Sequence, residues 1–116
     1  MKYLICRFDF DKMKEINAKE VKKKFDNKEN FILLDVREDN EIDIASISPH
    51  THIPMGEIPN RFHELDKDKP HVVMCHSGVR SARVCNYLIE MGYDVVNFAG
   101  GIESWSSEID PSVPKY

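Results

Sequence analysis

Short unbroken apolar runs alternate with stretches in which apolar residues recur every three or four positions, and the alternation runs from residue 16 to residue 109. "INAKEVKKKFDN" (16–27) predicts a helix: Asn17 can cap it, Glu20 stands three positions later as in a capping box, and Val21 and Phe25 share a face. "NFILLDVRE" (30–38) is a continuous apolar run ending in charge, which predicts a strand buried on both faces. "EDNEIDIASIS" (38–48) fits two templates, an alternating strand through Ile42 and Ile44 or one helical turn. "THIPM" (51–55) reads as a short strand ended by Pro54. "GEIPNRFHELDKD" (56–68) reads as a helix with Ile58, Phe62 and Leu65 on one side. Pro59 falls in its first turn, where a missing N–H is harmless.

The second half repeats the pattern more clearly. "HVVMC" (71–75) is again a buried strand, and "RSARVCNYLIEMG" (80–92) a helix with Val84, Leu88 and Met91 along one side and Gly92 as its stop. "DVVNF" (94–98) predicts another strand and "GGIESWSSEI" (100–109) a short helix with Ile102 and Trp105 inward. "DPSVPKY" (110–116) is a proline-broken tail. Such strands alternating with amphipathic helices predict an α/β domain on a mainly parallel sheet. Residues 1–12 mix aromatic and charged positions without period and are set apart as an N-terminal extension of unknown structure. Residues 13–116 are assigned to the domain.

Composition narrows the function classes. At 116 residues the chain suits one domain, and 41% hydrophobic with 31% charged residues can fill a modest core. A net charge of −4 leaves no basic surplus for phosphates, so nucleic-acid binding is not expected. Lys22–Lys24 stand among carboxylates and read as a solvated helix face. "YLIC" is too short for the core of a signal peptide, and "FILL" (31–34) is too short to span a bilayer, so no membrane partner is expected. Three cysteines without framework spacing fit a reducing compartment, and a cytoplasmic location is expected.

The chemistry concentrates in "CHSGVRS" (75–81). In parallel sheets ligands bind beyond the carboxyl ends of the strands, and Cys75 closes its strand at that edge. Gly78 can take a positive φ, which lets the turn curl and aim its N–H groups inward. Those amides and the following helix N-terminus favour negative charge, so the Cys75 thiol should lose its proton more readily than usual. A thiolate is a nucleophile, and a ring of amides can hold an anion after reaction. Arg80 adds a planar donor fork suited to an oxyanion. The competing reading is a packed structural thiol, since free cysteine is among the most buried residue types. The turn, the arginine and the helix start together favour the nucleophile.

"LLDVRE" (33–38), "IPMGEIPNRFHEL" (53–65), "VVMCHSGVRSARVCNYLIEMGYDVVNFAGGIESW" (72–105) and "DPSVPKY" occur in an order that resembles a single-domain rhodanese, a thiosulfate sulfurtransferase-type module. The closing "DPSVPKY" resembles rhodanese modules that accompany the adenylyltransferases of sulfur-carrier pathways. The resemblance implies a three-layer domain with a five-stranded, mainly parallel sheet flanked by helices. It implies a cycle in which Cys75 takes the outer sulfur of thiosulfate as a persulfide, releases sulfite, and passes the sulfur to cyanide in an assay or a thiol in the cell. His76, Ser77, Gly78, Val79, Arg80 and Ser81 would bind the donor, with the amides of residues 77–80 around the persulfide and Arg80 steering the dianion. No cofactor or metal is implied. A small anionic sulfur donor and a thiol or protein acceptor are the expected partners. The alternative is a relay module that receives sulfur from a partner protein with little thiosulfate turnover. Rhodanese-like phosphatases carry arginine six positions after the cysteine; here position 81 is serine and arginine comes five after Cys75, which disfavours that activity.

The segments "ASI" (45–47) and "PHT" (49–51) depart from the family's usual Gly-His-Ile and Pro-Gly-Ala, beside the expected substrate mouth. Asp35 and Arg37 could tune the charge of the loop or form a buried ion pair that fixes adjacent segments; the pair is the favoured reading. Glu41 is weighed the same way with a weaker signal. The His76 imidazole is expected to turn toward solvent. His50 and His52 have no third ligand nearby, and no metal site is expected. Cys85 is expected to be a packed, unreactive thiol, Cys6 could resolve a persulfide, and Arg83 could extend the positive field or be solvated. Trp105 is expected to pack.

Overall fold

The structure is a computed structural model and describes residues 13–116. The readings of Cys6 and of residues 1–12 lie outside the described residues. The chain runs β1 (Lys14–Ile16), α1 (Ala18–Asp26), β2 (Ile32–Asp35), α2 (Asp39–Ile44), β3 (Thr51–His52), α3 (Ile58–Arg61), β4 (His71–Met74), α4 (Val79–Glu90), β5 (Val95–Phe98) and α5 (Gly101–Glu108). All five strands pair in parallel, in the order β1-β5-β4-β2-β3.

Local chemistry explains where elements start. The Asn17 side chain accepts from the Glu20 N–H at 2.9 Å and the Glu20 carboxylate accepts from the Asn17 N–H at 3.0 Å, so α1 opens on the expected capping box. Ile16 is not the first helical residue but the end of an edge strand, β1, paired with β5 from Lys14↔Val96 to Ile16↔Phe98. Three residues are too few to display a period. The ambiguous segment 38–48 resolves as the helix α2. The Glu41 carboxylate accepts from the Glu38 N–H at 3.0 Å at its start. At its end the Ala45 carbonyl accepts from the Arg37 guanidinium at 2.8 Å. The helix expected over 56–68 is broken into α3 between two 3₁₀ turns (Met55–Glu57 and Phe62–Glu64), because the backbone at Arg61 leaves helical geometry with φ −127°. Its apolar face is as expected: Ile58 and Leu65 are buried, and Phe62 packs edge-on against Tyr87 and Tyr93.

Alternation along the strands divides the core in two. Leu34 and Val73 face α3 and α4, joining Ile58, Leu65, Val84 and Leu88. Leu33, Val72 and Met74 face α1 and α5, joining Val21, Ile102 and Trp105. Each fully buried aliphatic side chain of this kind contributes about 1.5–3 kcal/mol, so both helical layers are pinned to the sheet. Trp105 is a core residue, edge-on to Phe25 and Phe98. Asp35 stands opposite Met74 in the β2–β4 register, so residues 35–37 and 75–81 leave the sheet side by side at one edge.

Candidate active site

Two helices shape the turn that follows β4. Gly78 caps α4 with φ +108°, a conformation that residues with a Cβ rarely adopt. From below, the first amides of α5 take the turn's carbonyls: the Ile102 N–H donates to the Cys75 carbonyl at 3.1 Å and the Glu103 N–H to the His76 carbonyl at 3.0 Å. Gly101 permits this approach, because a Cβ there would stand 2.4 Å from the Cys75 carbonyl oxygen and 2.5 Å from that of His76. With its carbonyls held by α5, the turn presents its N–H groups to the sulfur. The Gly78 N–H donates to Cys75 Sγ at 3.1 Å, and the Ser81 Oγ lies 3.4 Å from it.

Cys75 is only 1% exposed. Burial alone would raise its pKa. Hydrogen bonds from the Ser81 hydroxyl and from the Ser81, Gly78 and Ser77 amides outweigh burial and hold the thiol below its ordinary value. The covered thiol therefore ionises more readily than an ordinary one.

The other expected residues are placed unevenly. Ser81 is buried, with its hydroxyl 2.6 Å from Asn97 Oδ1, while Ser77 and Val79 face outward and serve the turn through their backbone. His76 does not turn freely to solvent: Tyr116 stacks on its ring at 4.3 Å, and its Nε2 lies 3.2 Å from Glu103 Oε1. Arg80 does reach the site, but without a free fork. Its Nη1 and Nη2 donate to the two Glu41 oxygens at 2.6 and 2.9 Å. The Arg80 hydrogen bonds hold the Glu41 carboxyl down at about 2 despite the opposing effect of burial. Asp35 and Arg37, each 0% exposed, form the expected buried ion pair at 2.8 Å. The Asp35 carboxylate also accepts from the Arg37 N–H at 3.1 Å.

Two contributors, Asn97 and Tyr116, have no counterpart in the sequence reading, and a third, Glu41, carries more than its weak signal suggests. Asn97 donates through Nδ2 to the Gly78 carbonyl at 3.1 Å and to Glu15 Oε2 at 2.9 Å, tying β5 and β1 to the turn. Its signal is visible as the one polar residue within the strand Val95–Phe98. Tyr116 accepts from Arg37 Nη1 at 2.7 Å and donates to Glu41 Oε2 at 2.8 Å, and no spacing announces that. Glu41 was underweighted, although it stands three residues after Glu38 in a capping pattern.

The remaining candidates lie apart. Cys85 is 0% exposed within α4, and burial pushes its thiol up to about 12, as expected of an inert thiol. Arg83 is exposed and lines an apolar groove with Met55, Ile58, Pro59, Val84 and Tyr87. The His50 Nδ1 lies 2.9 Å from the Ile47 carbonyl, fastening a local turn, and the His52 Nε2 lies 2.7 Å from the Arg37 carbonyl, tying β3 to the chain that leaves β2. Of the unusual segment 45–51, Ala45 and Ile47 are buried against α1 and α5. That segment touches the site through the Ala45 carbonyl on Arg37. Among the described residues no helix is long and apolar enough to cross a membrane.

The sequence profile of the rhodanese-like domain matches residues 17–108. YtwF of Bacillus subtilis, provisionally named a sulfurtransferase, is 44% identical over 85% of this chain and 96% of its own length. A protein of Allochromatium vinosum named sulfurtransferase is 37% identical over 79% of this chain and 87% of its own. The crystal structure of a rhodanese-like domain protein from Staphylococcus aureus superposes with a TM-score of 0.78 at 36% identity, covering 84% of this chain and 95% of that one.

Proposed function

The chain belongs to the rhodanese-like domain family, whose members similar to it bear sulfurtransferase names, and from that premise we propose that it moves sulfane sulfur through a Cys75 persulfide. The observation that carries this reading is the set of donors on Cys75 Sγ: the Gly78 amide at 3.1 Å, the Ser81 hydroxyl at 3.4 Å, and a thiol held below its usual pKa. The Cys75 thiolate attacks the outer sulfur of a donor, and the donor's remainder leaves with the electron pair of the broken S–S bond. The new terminal sulfur carries negative charge and lies where the amides of residues 77–81 can receive it. A nucleophilic acceptor, cyanide in an assay or a thiol in the cell, then takes that sulfur and returns the thiolate.

A residue 1% exposed admits a slender donor that offers one sulfur atom end-on. Asp35 and Arg37 serve the reaction at one remove: their buried pair fixes the end of β2, and Arg37 anchors Tyr116 beside the turn. The expected location is the cytoplasm, where a thiol acceptor is abundant and Cys75 stays reduced. Thiosulfate with cyanide tests the reading. Wild type should form thiocyanate, and Cys75→Ser should reduce it to background while Cys85→Ser retains it. Thiocyanate formation that survives Cys75→Ser would refute the assignment. A wild type that takes sulfur onto Cys75 from a partner protein but turns over no thiosulfate would be a relay module.

A further inference from the structure

Arg80 lies in the first turn of α4, the helix that follows the Cys75 turn, yet both arms of its fork end on Glu41, at 2.6 and 2.9 Å. Glu41 is itself fixed. The Tyr116 hydroxyl donates to its Oε2 at 2.8 Å, and the Glu38 N–H donates to its Oε1 at 3.0 Å. Tyr116 is in turn held by Arg37 Nη1 at 2.7 Å and by its stack on His76. The carboxylate side chain is 13% exposed. Fork-to-fork pairing of this kind uses the donors that a sulfonate would need. An incoming oxyanion could claim the guanidinium only by expelling Glu41 and leaving a mostly covered carboxylate without its partner.

The neighbouring cations are engaged as well. Arg37 lies against Asp35 at 2.8 Å and Lys115 against Glu103 at 3.7 Å, while the His76 ring sits 3.2 Å from the same Glu103. A dianion approaching Cys75 therefore meets Glu41 and Glu103, while Arg80, Arg37 and Lys115 each already face an acid.

We propose that Glu41 is a specificity-determining residue: by holding the Arg80 guanidinium it adapts the site to a sulfur donor of low charge, an organic persulfide R–S–S–H, in preference to the thiosulfate dianion. The inference rests on the persulfide reading above and narrows its donor. The Cys75 thiolate attacks the outer sulfur of R–S–S–H; the Sγ–S bond forms, the donor S–S bond breaks, and R–S⁻ leaves with the electron pair. Cys75–S–S–H then gives its proton to water, and the anion settles among the amides. With thiosulfate the same displacement expels sulfite, SO₃²⁻, whose charge develops beside Glu41 while the Arg80 guanidinium is already paired.

Mass spectrometry of the full chain reads the sulfur gained by Cys75, with cysteine persulfide and thiosulfate as the alternative donors. Glutamine keeps the size of glutamate and removes its charge, so Glu41→Gln should raise the ratio of thiosulfate to cysteine-persulfide rates by about tenfold. Adding Arg80→Gln should take that gain away, because the gain comes from the released guanidinium. An unchanged or lowered ratio overturns the proposal, and so does a gain that survives the loss of Arg80. A second measurement needs no variant: the wild-type rate with thiosulfate should hold or rise as potassium chloride goes from about 0.02 to about 0.5 M, since the paired Arg80 offers screening little attraction to weaken. A steep fall with salt would mark an unengaged cation and overturn the proposal. If neither donor loads Cys75, the sulfurtransferase reading itself fails; if Cys75 loads and the ratio stays fixed, only the role of Glu41 fails.

Discussion

Cys75 and Cys85 sit in the same core cluster, ten positions apart, at 1% and 0% exposure, and their thiols are displaced in opposite directions. Burial pushes Cys85 up to about 12, with the charges of Glu15 and Cys75 adding to it. Burial acts on Cys75 in the same sense and loses to the donors converging on its sulfur. Exposure does not separate the thiol held low from the one pushed up. The direction of the surrounding N–H and O–H groups does, and that direction is a property of the turn rather than of the cysteine.

The harshest way to break the contrast is to spoil the turn while sparing both sulfurs. In Gly101→Ala the new Cβ would stand 2.4 Å from the Cys75 carbonyl, so α5 must withdraw and the amides lose their aim. We expect a loss of about 2 kcal/mol in urea denaturation and alkylation of Cys75 as slow at pH 7 as that of an ordinary thiol. Fast alkylation in that variant would show that α5 does not set the turn.

A milder change removes one donor. Ser81→Ala should slow iodoacetamide alkylation of Cys75 at pH 7 by roughly tenfold, the scale of one hydrogen bond to a charged group. The sign follows from linkage: the lowered pKa enlarges the ionised fraction of Cys75 relative to an ordinary thiol, and reactivity falls as pH drops through that lowered value. The wild-type alkylation midpoint should therefore lie below the 9.0 of an ordinary thiol, and that of Ser81→Ala should lie higher than wild type. Coincident pH profiles would remove Ser81 from the account.

The smallest effect belongs to the other thiol. Cys85→Ala should leave the pH profile of Cys75 in place and cost about 1 kcal/mol, the loss of one small buried group. A displaced profile would mean that the two sulfurs communicate.

Legibility in the sequence divides along the same line. The helix α4, strands β2, β4 and β5, and the strand-end position of Cys75 could all be read, because their apolar periods are long enough to recognise. The edge strand β1 could not, since Lys14–Ile16 owes its form to pairing with β5. At the site, Cys75, Gly78 and Ser81 were readable because they share one short segment. The occupancy of Arg80 was not, because Glu41 lies 39 residues away in sequence and α2 had to be resolved as a helix before the two could be seen to meet. Tyr116 is 75 residues from Glu41 and could be placed only by the fold.

The shape of the turn is stored in chain that comes after it. Asn97 takes the Gly78 carbonyl, and the amides of Ile102 and Glu103 take those of Cys75 and His76. During synthesis, a nascent polypeptide that has emerged only as far as α4 lacks all three of these clamps. The last helix must dock before the turn is complete, so the setting of the Cys75 sulfur is among the last features that translation supplies.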